Sequence, residues 1–219
     1  MKKFLSLLLA TIMLLSLCAC GGSTDDIRGE TVPQAATPEE TPEYSFGKTT
    51  GNLYKNDFLG MSCELPADWV FYTEQQLLEM NNIAGEYVDE DTLEQLKNAT
   101  IIYDMYASDA NFSSITVNLE KFNLLQMATL DIKASLEGQK DGIISSYQSM
   151  GYSDIQVEYQ KITVDGQEYD GLVINASIQG ISFYAKAFAF KKGNYLANVT
   201  VSSVGSDATD TILGYIDMQ

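Results

Sequence analysis

The sequence contains no histidine, and this absence restricts the chemistry available to the protein. Serine–histidine and cysteine–histidine catalysis, histidine metal ligands and imidazole proton transfer all require that side chain. An enzyme without it would depend on carboxylates and lysines. The acidic residues are scattered, and no pair stands in an apolar setting that would favour glycosidase chemistry. We therefore predict a protein that is not an enzyme and has no cofactor.

Basic residues are also few. The chain has 13 lysines and arginines against 30 acidic residues, which gives a formal net charge of −17. Nucleic acid binding requires clustered lysine and arginine, so the balance excludes a nucleic acid partner. It also argues against electrostatic docking on anionic lipid headgroups. The excess of negative charge favours solubility.

Only three cysteines occur, and two of them, Cys18 and Cys20, lie close to the N terminus. Without these two, Cys63 has no intramolecular disulfide partner. Cys63 lies in phase with Leu59 and Met61 in an alternating segment. This phase predicts a buried apolar side chain rather than a reactive thiol.

The N-terminal segment resembles an export signal. Lys2 and Lys3 precede an apolar run over residues 4–17, which is shorter than the roughly 20 residues that span a bilayer. Residues 17–20, Leu-Cys-Ala-Cys, resemble the bacterial lipobox. The resemblance implies a signal peptide over residues 1–19 and acyl chains, such as palmitate, attached through Cys20. The alternative is an ordinary secretory signal that is cleaved nearby and releases the protein.

Residues 20–50 are predicted to form a disordered tether, because they are rich in Gly, Thr, Pro, Glu and Ser and show no apolar periodicity. Residues 51–219 have the length of one domain. Alternation predicts strands over 58–65, 69–72, 101–107 and 114–119, with Ile101, Tyr103, Met105 and Ala107 sharing one face. Thr73 and Gln76 form a capping box that predicts a helix, and a second helix is expected over 91–98.

The last third of the sequence predicts a long helix over 129–150, then four strands, then a short helix over 207–218 capped by Asp207. The strands are expected over 153–164, 167–178, 181–191 and 194–203. Short glycine-containing joints between them predict antiparallel hairpins. The fold class is therefore α+β, an antiparallel sheet with helices packed on both faces. Alanines 185, 187 and 189 indicate a closely packed helix, and Tyr184, Phe188 and Phe190 form either a second core layer under the long helix or a partner surface.

Three segments resemble PsbP-like domains found in lipoproteins of Gram-positive bacteria. They read YKNDFLGMSCELPADWVFYTEQQLLEM, SITVNLEKF and YQSMGYSDIQVEYQKITVDGQEYDGLVI, and the first holds the motif Leu-Pro-Ala-Asp-Trp at residues 65–69. The resemblance covers nearly all of 51–219. It implies the α/β/α sandwich shared with DcrB-like envelope proteins, an envelope location, and binding or support of other proteins. It transfers no catalytic residue.

The sequence thus predicts a membrane-anchored extracytoplasmic lipoprotein of a Gram-positive bacterium, attached to the cell membrane through its lipid and binding or supporting another envelope protein. The alternative is an accessory lipoprotein that binds a small molecule or a metal ion. The acidic run Asp89-Glu90-Asp91 is the candidate for calcium, but a helix start is the favoured interpretation of such a run. A deep pocket with convergent polar groups would favour the alternative.

Overall fold

The structure, a computed structural model, describes residues 44–219. The predicted signal peptide, Cys20 and the tether up to residue 43 lie outside the described residues. Eleven strands are present among those described: β1 Lys48–Thr50, β2 Leu53–Asn56, β3 Met61–Glu64, β4 Val70–Phe71, β5 Ile101–Ser108, β6 Ser114–Lys121, β7 Tyr152–Val164, β8 Gln167–Ile178, β9 Ile181–Lys192, β10 Tyr195–Val204 and β11 Ile216–Met218. The described helices are α1 Glu74–Met80, α2 Glu90–Asn98, α3 Leu124–Thr129, α4 Ile132–Ser149 and α5 Thr209–Leu213.

The strands form two antiparallel sheets. The large sheet has seven strands in the order β4-β5-β6-β10-β9-β8-β7, and the small sheet has four in the order β1-β2-β3-β11. The meander β7 to β10 confirms the four predicted strands and their hairpins. Asp165 and Gly166 both have positive φ, at 47° and 74°, as a two-residue turn that matches strand twist requires. The residues at the turns therefore allowed the antiparallel order of β7 to β10 to be predicted from the sequence.

The main core lies between the two sheets. Buried residues of the small sheet, such as Met61, Cys63 and Ile216, join Val117 and Val199 of the large sheet in one apolar cluster. The described fold begins before residue 51, because Tyr44 is buried in this cluster. The small sheet therefore contributes to the hydrophobic core as much as any helix does.

Helix α4 covers the opposite face of the large sheet over β7 to β9. Its residues Leu136, Ile143 and Tyr147 pack with Leu172 and Ala185, which confirms that a helix lies on the alanine face. Helical layers on both faces are not confirmed, because the small sheet occupies much of the other face. Phe188 is buried against the main core on the small-sheet side, so it is neither a free surface nor a layer under the long helix.

The predicted helix over 129–150 is instead two helices, α3 and α4. Asn123 caps α3 in a reciprocal box with Gln126, and the Asp131 carboxylate accepts a hydrogen bond from the Ala134 backbone N–H at the start of α4. Because each cap satisfies free backbone N–H groups, the two caps define separate helix starts. The predicted helix over 207–218 also divides. Helix α5 ends at Leu213, and β11 then pairs with β3.

The phase of β5 changes at a bulge between Tyr103 and Met105. As a result Ile102, Met105 and Ala107 face the main core, whereas Tyr103 is only half-buried. The predicted face of Ile101, Tyr103, Met105 and Ala107 was therefore wrong in its first half. Asp104 lies in phase with Ile102 and points into the protein, where it is 1% exposed, and the bulge brings Met105 to the same side.

The central strands β6 and β10 pair identical polar residues across the sheet. Asn118 is paired with Asn198, and Ser114 with Ser202, with Thr116 and Thr200 paired between them. The two serine hydroxyls are 2.7 Å apart, and the Asn198 amide donates to Asn118 Oδ1 at 3.3 Å. These cross-strand hydrogen bonds help to fix the register of the two strands.

Cys63 is expected to be unreactive in the folded protein. Its side chain is fully buried, and burial together with the charge of Asp217 raises the pKa of the thiol to about 12. A variant with Cys18 and Cys20 replaced by serine has Cys63 as its sole thiol. We expect slow labelling of this variant by an aromatic disulfide reagent at pH 8, and complete labelling after denaturation. Rapid labelling of the native variant would contradict the buried position.

Candidate functional site

A cavity of about 490 Å³ lies between one edge of the small sheet and one edge of the large sheet. We call it the edge groove. One wall is formed by residues 46–52, which include β1, and the other by residues 67–74, which include β4. Leu77 of α1 also lines the groove. The volume lies within the range of sites that bind small ligands or single protein side chains.

Both walls contain a strand at the edge of its sheet. Among the described strands, β1 pairs only with β2 and β4 pairs only with β5. Thr50 and Leu53 flank the two-residue turn at Gly51-Asn52 and form a hydrogen-bonded pair. Pairs alternate along an antiparallel ladder, so the next pair, Thr49 with Tyr54, is not hydrogen-bonded, and the backbone N–H and C=O of Thr49 point away from β2. On the other wall, Tyr72 N donates to Tyr106 O at 2.8 Å, so Tyr72 belongs to a hydrogen-bonded pair. The neighbouring pair, Phe71 with Ala107, is therefore not hydrogen-bonded, and the backbone N–H and C=O of Phe71 point away from β5.

The lining of the edge groove is rich in aromatic side chains. Phe46, Trp69, Phe71 and Tyr72 are each half-buried. The Trp69 ring packs edge-on against Tyr215, with 6.3 Å between ring centroids, which fixes its orientation. Rigid aromatic side chains provide apolar contact area at low conformational cost. The groove is therefore suited to accept apolar or aromatic side chains.

Several polar side chains of the groove already have partners within the protein. Glu74 Oε2 accepts from the Val88 backbone at 2.9 Å, the Thr73 hydroxyl belongs to the capping box of α1, and the Asn52 amide donates to Leu65 O at 3.0 Å. Polar groups that are already hydrogen-bonded contribute little to recognition of a polar ligand. The strand edges and aromatic rings remain as the main features available for binding.

Asp104 holds one wall of the groove in place. Its carboxylate accepts hydrogen bonds from Gly47 N at 2.7 Å, from the Asn56 amide at 2.6 Å and from the Tyr54 hydroxyl at 3.2 Å. These bonds connect β5 of the large sheet with β2 and with the segment that enters β1. Gly47 is required there, since an added Cβ would lie 2.3 Å from Cε2 of Tyr54.

The Asp104 carboxylate has neutral donors and no hydrogen bond or ion pair with a cation among the described residues. Burial is the largest influence on it and raises its pKa, while the hydrogen bonds from Gly47, Asn56 and Tyr54 partly oppose this effect. The resulting pKa is about 6. The carboxylate is therefore ionised at neutral pH, at a cost to the stability of the fold.

Tyr44 packs beside this network but does not share its hydrogen bonds. Its ring lies 5.6 Å from the ring of Phe58 and 5.5 Å from that of Tyr195. The Tyr44 hydroxyl is buried and has no hydrogen-bond partner among the described residues. Such a group loses its hydration on folding without compensation, so it is a destabilising feature of the core.

The residues that the sequence singled out are not brought together by the described structure. Cys20 lies outside the described residues, and Cys63 is buried in the main core. The acidic run begins α2, where the Asp89 carboxylate accepts from the Thr92 backbone and side chain, which lowers the pKa of Asp89. No three acidic or cysteine side chains of residues 44–219 are arranged to hold a metal ion.

Two functional features were missed at the level of sequence, Asp104 and the edge groove. Asp104 stands between Tyr103 and Met105, which the sequence predicted on one inner face, whereas the structure has Ile102 and Asp104 inside and Tyr103 half-buried. Trp69 was noted as part of a motif, but its role in the groove depends on the proximity of β1 and β4.

None of the helices within residues 44–219 has the length and apolar character needed to cross a membrane.

No family model matches the sequence, and no curated protein is significantly similar to it. Fourteen chains of solved structures are matched by this chain in a structural search. One, from Bacteroides thetaiotaomicron, is 9% identical, with a TM-score of 0.39 and coverage of 78% of this chain and 49% of that chain. This chain thus spans about half the length of that protein. Another, LpqN of Mycobacterium tuberculosis, described as involved in cell envelope biogenesis, is 10% identical, with a TM-score of 0.34 and coverage of 70% and 75%.

The buried carboxylate predicts a specific pH dependence of stability. The folded pKa of Asp104, about 6, exceeds the unfolded value of about 3.8, so the folded state binds the extra proton. The stabilisation that comes from binding this proton is therefore complete below pH 4 and is lost as pH rises through 6. We expect urea unfolding to show that this residue lowers the unfolding free energy by about 2 kcal/mol between pH 4 and 7.

Asp104→Asn is the matched variant, because it has the same size and does not titrate. The difference in unfolding free energy between the wild type and this variant should change across pH 4–7, while contributions from other groups cancel. A difference that stays constant over this range would contradict the assignment of the buried charge.

Two tyrosine-to-phenylalanine substitutions should have opposite effects. Tyr54→Phe removes the hydrogen bond to Asp104 and should lower the unfolding free energy by about 1–2 kcal/mol. Tyr44→Phe removes a hydroxyl without a partner and should leave stability unchanged or raise it by about 1 kcal/mol. Urea denaturation at one pH measures both. Equal destabilisation by the two substitutions would show that the Tyr44 hydroxyl is hydrogen-bonded.

Proposed function

We propose that the protein is a lipid-anchored, non-enzymatic lipoprotein of the bacterial envelope that binds an extended segment of another envelope protein in the edge groove. The anchor is the acylated Cys20 at the extracytoplasmic face of the cell membrane, as the lipobox resemblance implies. The resemblance to PsbP-like domains, with their three-layer sandwich, Gram-positive origin and protein-supporting roles, is part of the same proposal.

The observation that carries the protein-binding role is the arrangement of two strand edges along one aromatic cavity. An extended peptide can add a strand to an exposed sheet edge, so that main-chain hydrogen bonds provide affinity and side-chain pockets provide specificity. Here Thr49 and Phe71 direct backbone groups outward on the two walls. An apolar side chain of the peptide would contact Trp69 and Phe46 in the cavity.

The alternative, an accessory lipoprotein for a small molecule or metal ion, is supported by the cavity volume alone. The polar side chains Thr73, Glu74 and Asn52 already have partners, so the groove offers few free polar groups to orient a small polar ligand. A backbone edge, in contrast, selects for another polypeptide. We therefore place the extended peptide ahead of the small molecule.

Photo-crosslinking in living cells tests this function. Val70 is exposed on the groove wall, and Glu137 is an exposed residue of α4 on the opposite side of the large sheet. With benzoylphenylalanine at position 70, we expect one predominant adduct with an envelope protein, and no such adduct from position 137. Adding Trp69→Ala should reduce the adduct severalfold because it removes apolar contact area in the cavity.

The anchor is tested in the same cells. Cys20→Ala should release the protein from the membrane fraction. It should also decrease the yield of the adduct, because the protein is then no longer concentrated at the membrane beside its partner. Equal adduct yields from positions 70 and 137 would exclude the groove as the binding site. Unchanged membrane association of Cys20→Ala would exclude the lipid anchor.

A further inference from the structure

The edge groove carries a negative charge that nothing nearby neutralises. Glu74 is the only charged residue among the described residues that line it. Its Oε2 accepts a hydrogen bond from the Val88 backbone N–H at 2.9 Å, and the carboxylate has no ion pair with a cation within residues 44–219. One neutral donor leaves the charge in place and leaves the second oxygen, Oε1, able to accept further hydrogen bonds.

The surface beside Glu74 is acidic as well. The hydrogen bond from Val88 holds the segment before α2 next to the groove. Residues 66–96, which run from the groove wall through most of α2, contain no lysine or arginine. Their acidic residues are Asp68, Glu74, Glu79, Glu86, Asp89, Glu90, Asp91 and Glu94. Such a one-sided distribution of charge attracts a segment of opposite charge and raises its association rate.

The basic residues nearest to the groove in the sequence lie away from it. Alternation along β1 places Lys48 on the opposite face of the small sheet from Thr49, which lines the groove. Lys55 is the strand partner of Lys48 and therefore shares that outer face. Lys97 is in the last turn of α2, whereas Val88 precedes the first. The charge of the groove is therefore left for a partner to neutralise.

The aromatic walls suit a basic side chain. Trp69 and Phe71 are two residues apart on an extended segment, so their side chains point to the same side of β4. Together with Phe46 they pack at the border of the main core and line the cavity. The faces of such rings attract an ammonium or guanidinium group, and the aliphatic part of the same side chain packs against them. A lysine or arginine side chain thus matches both the walls and the carboxylate, whereas an apolar side chain matches the walls alone.

We propose that the edge groove selects a basic extended segment, with one lysine or arginine side chain inserted between the rings and bound to Glu74. The inference rests on the proposed binding of an extended peptide and specifies the charge of that peptide. Strand pairing at the backbone edges orients the segment, and the inserted side chain provides the specificity. The rest of the segment passes the acidic residues of α1 and the start of α2, where further basic residues strengthen binding.

Selection from a peptide library tests the charge of the segment. Phage that display random nine-residue peptides are selected on the acylated full chain in detergent micelles, and peptides that also bind Trp69→Ala are discarded. We expect the remaining peptides to share one position at which lysine and arginine are enriched severalfold, and to be poor in acidic residues. Apolar residues at the shared position would overturn the inference and leave the proposed peptide binding intact. Failure to select any groove-dependent peptide would overturn both.

Two variants of α1 locate the charge. Glu74→Gln removes the charge but keeps an acceptor for the Val88 backbone N–H, so the local fold is retained. Glu79→Gln is the matched control, because Glu79 is an exposed residue of the same helix that does not line the groove. Selection on Glu74→Gln should lose the enrichment of basic residues, and selection on Glu79→Gln should keep it. Equal enrichment on both variants would overturn the inference.

The sole tryptophan of the chain, Trp69, gives a direct measurement of affinity. Its emission is followed as a selected arginine peptide is added, and again with the same peptide carrying citrulline, the neutral analogue of arginine. The loss of the charge should weaken binding by about tenfold. Equal affinities of the two peptides would overturn the charged contact. N-acetylarginine amide is added in a third titration, and binding as tight as that of the peptide would overturn recognition of a polypeptide in favour of a small cation.

Discussion

The fold depends on a buried negative charge that is held without a cation. Asp104 lies where the small sheet, the entering chain and the large sheet meet, and its carboxylate accepts hydrogen bonds from each of the first two. Hydrogen bonds to a charged acceptor are stronger than neutral ones, but transfer of the charge from water opposes them. The result is a junction that is specific in geometry yet modest in net stability. The wall of the edge groove is built directly on this junction.

Local signals explain which elements could be predicted from the sequence. Alternation and glycine turns determine β7 to β10, and the Thr73–Gln76 box determines the start of α1. The small sheet was missed because β3 obtains its outer neighbour, β11, from the other end of the described chain. Residues 207–218 have an apolar pattern that suits either a helix or a helix followed by a strand, and only pairing with β3 decides between them.

The candidate site was harder to predict than the fold, for two physical reasons. The groove consists of two strand edges, and a sequence does not show which strands end up at an edge. The bulge in β5 places both Asp104 and Met105 on the inner side, so the alternation of Met105 and Ala107, carried back along the strand, wrongly points Asp104 outward. By contrast, burial of Cys63 followed from simple alternation, because no bulge interrupts β3.

Pairing of β3 with β11 also has a consequence for biogenesis. Residues 216–218 supply the last strand of a sheet whose other strands lie within residues 48–64. The main core therefore cannot close until nearly the whole described chain has been delivered, and contacts of such long range form slowly. A polypeptide that completes its fold so late keeps the apolar residues of β3 exposed until β11 has been added. The same connection makes the domain intolerant of C-terminal truncation, since loss of these few residues uncovers Cys63 and its neighbours at the edge of β3.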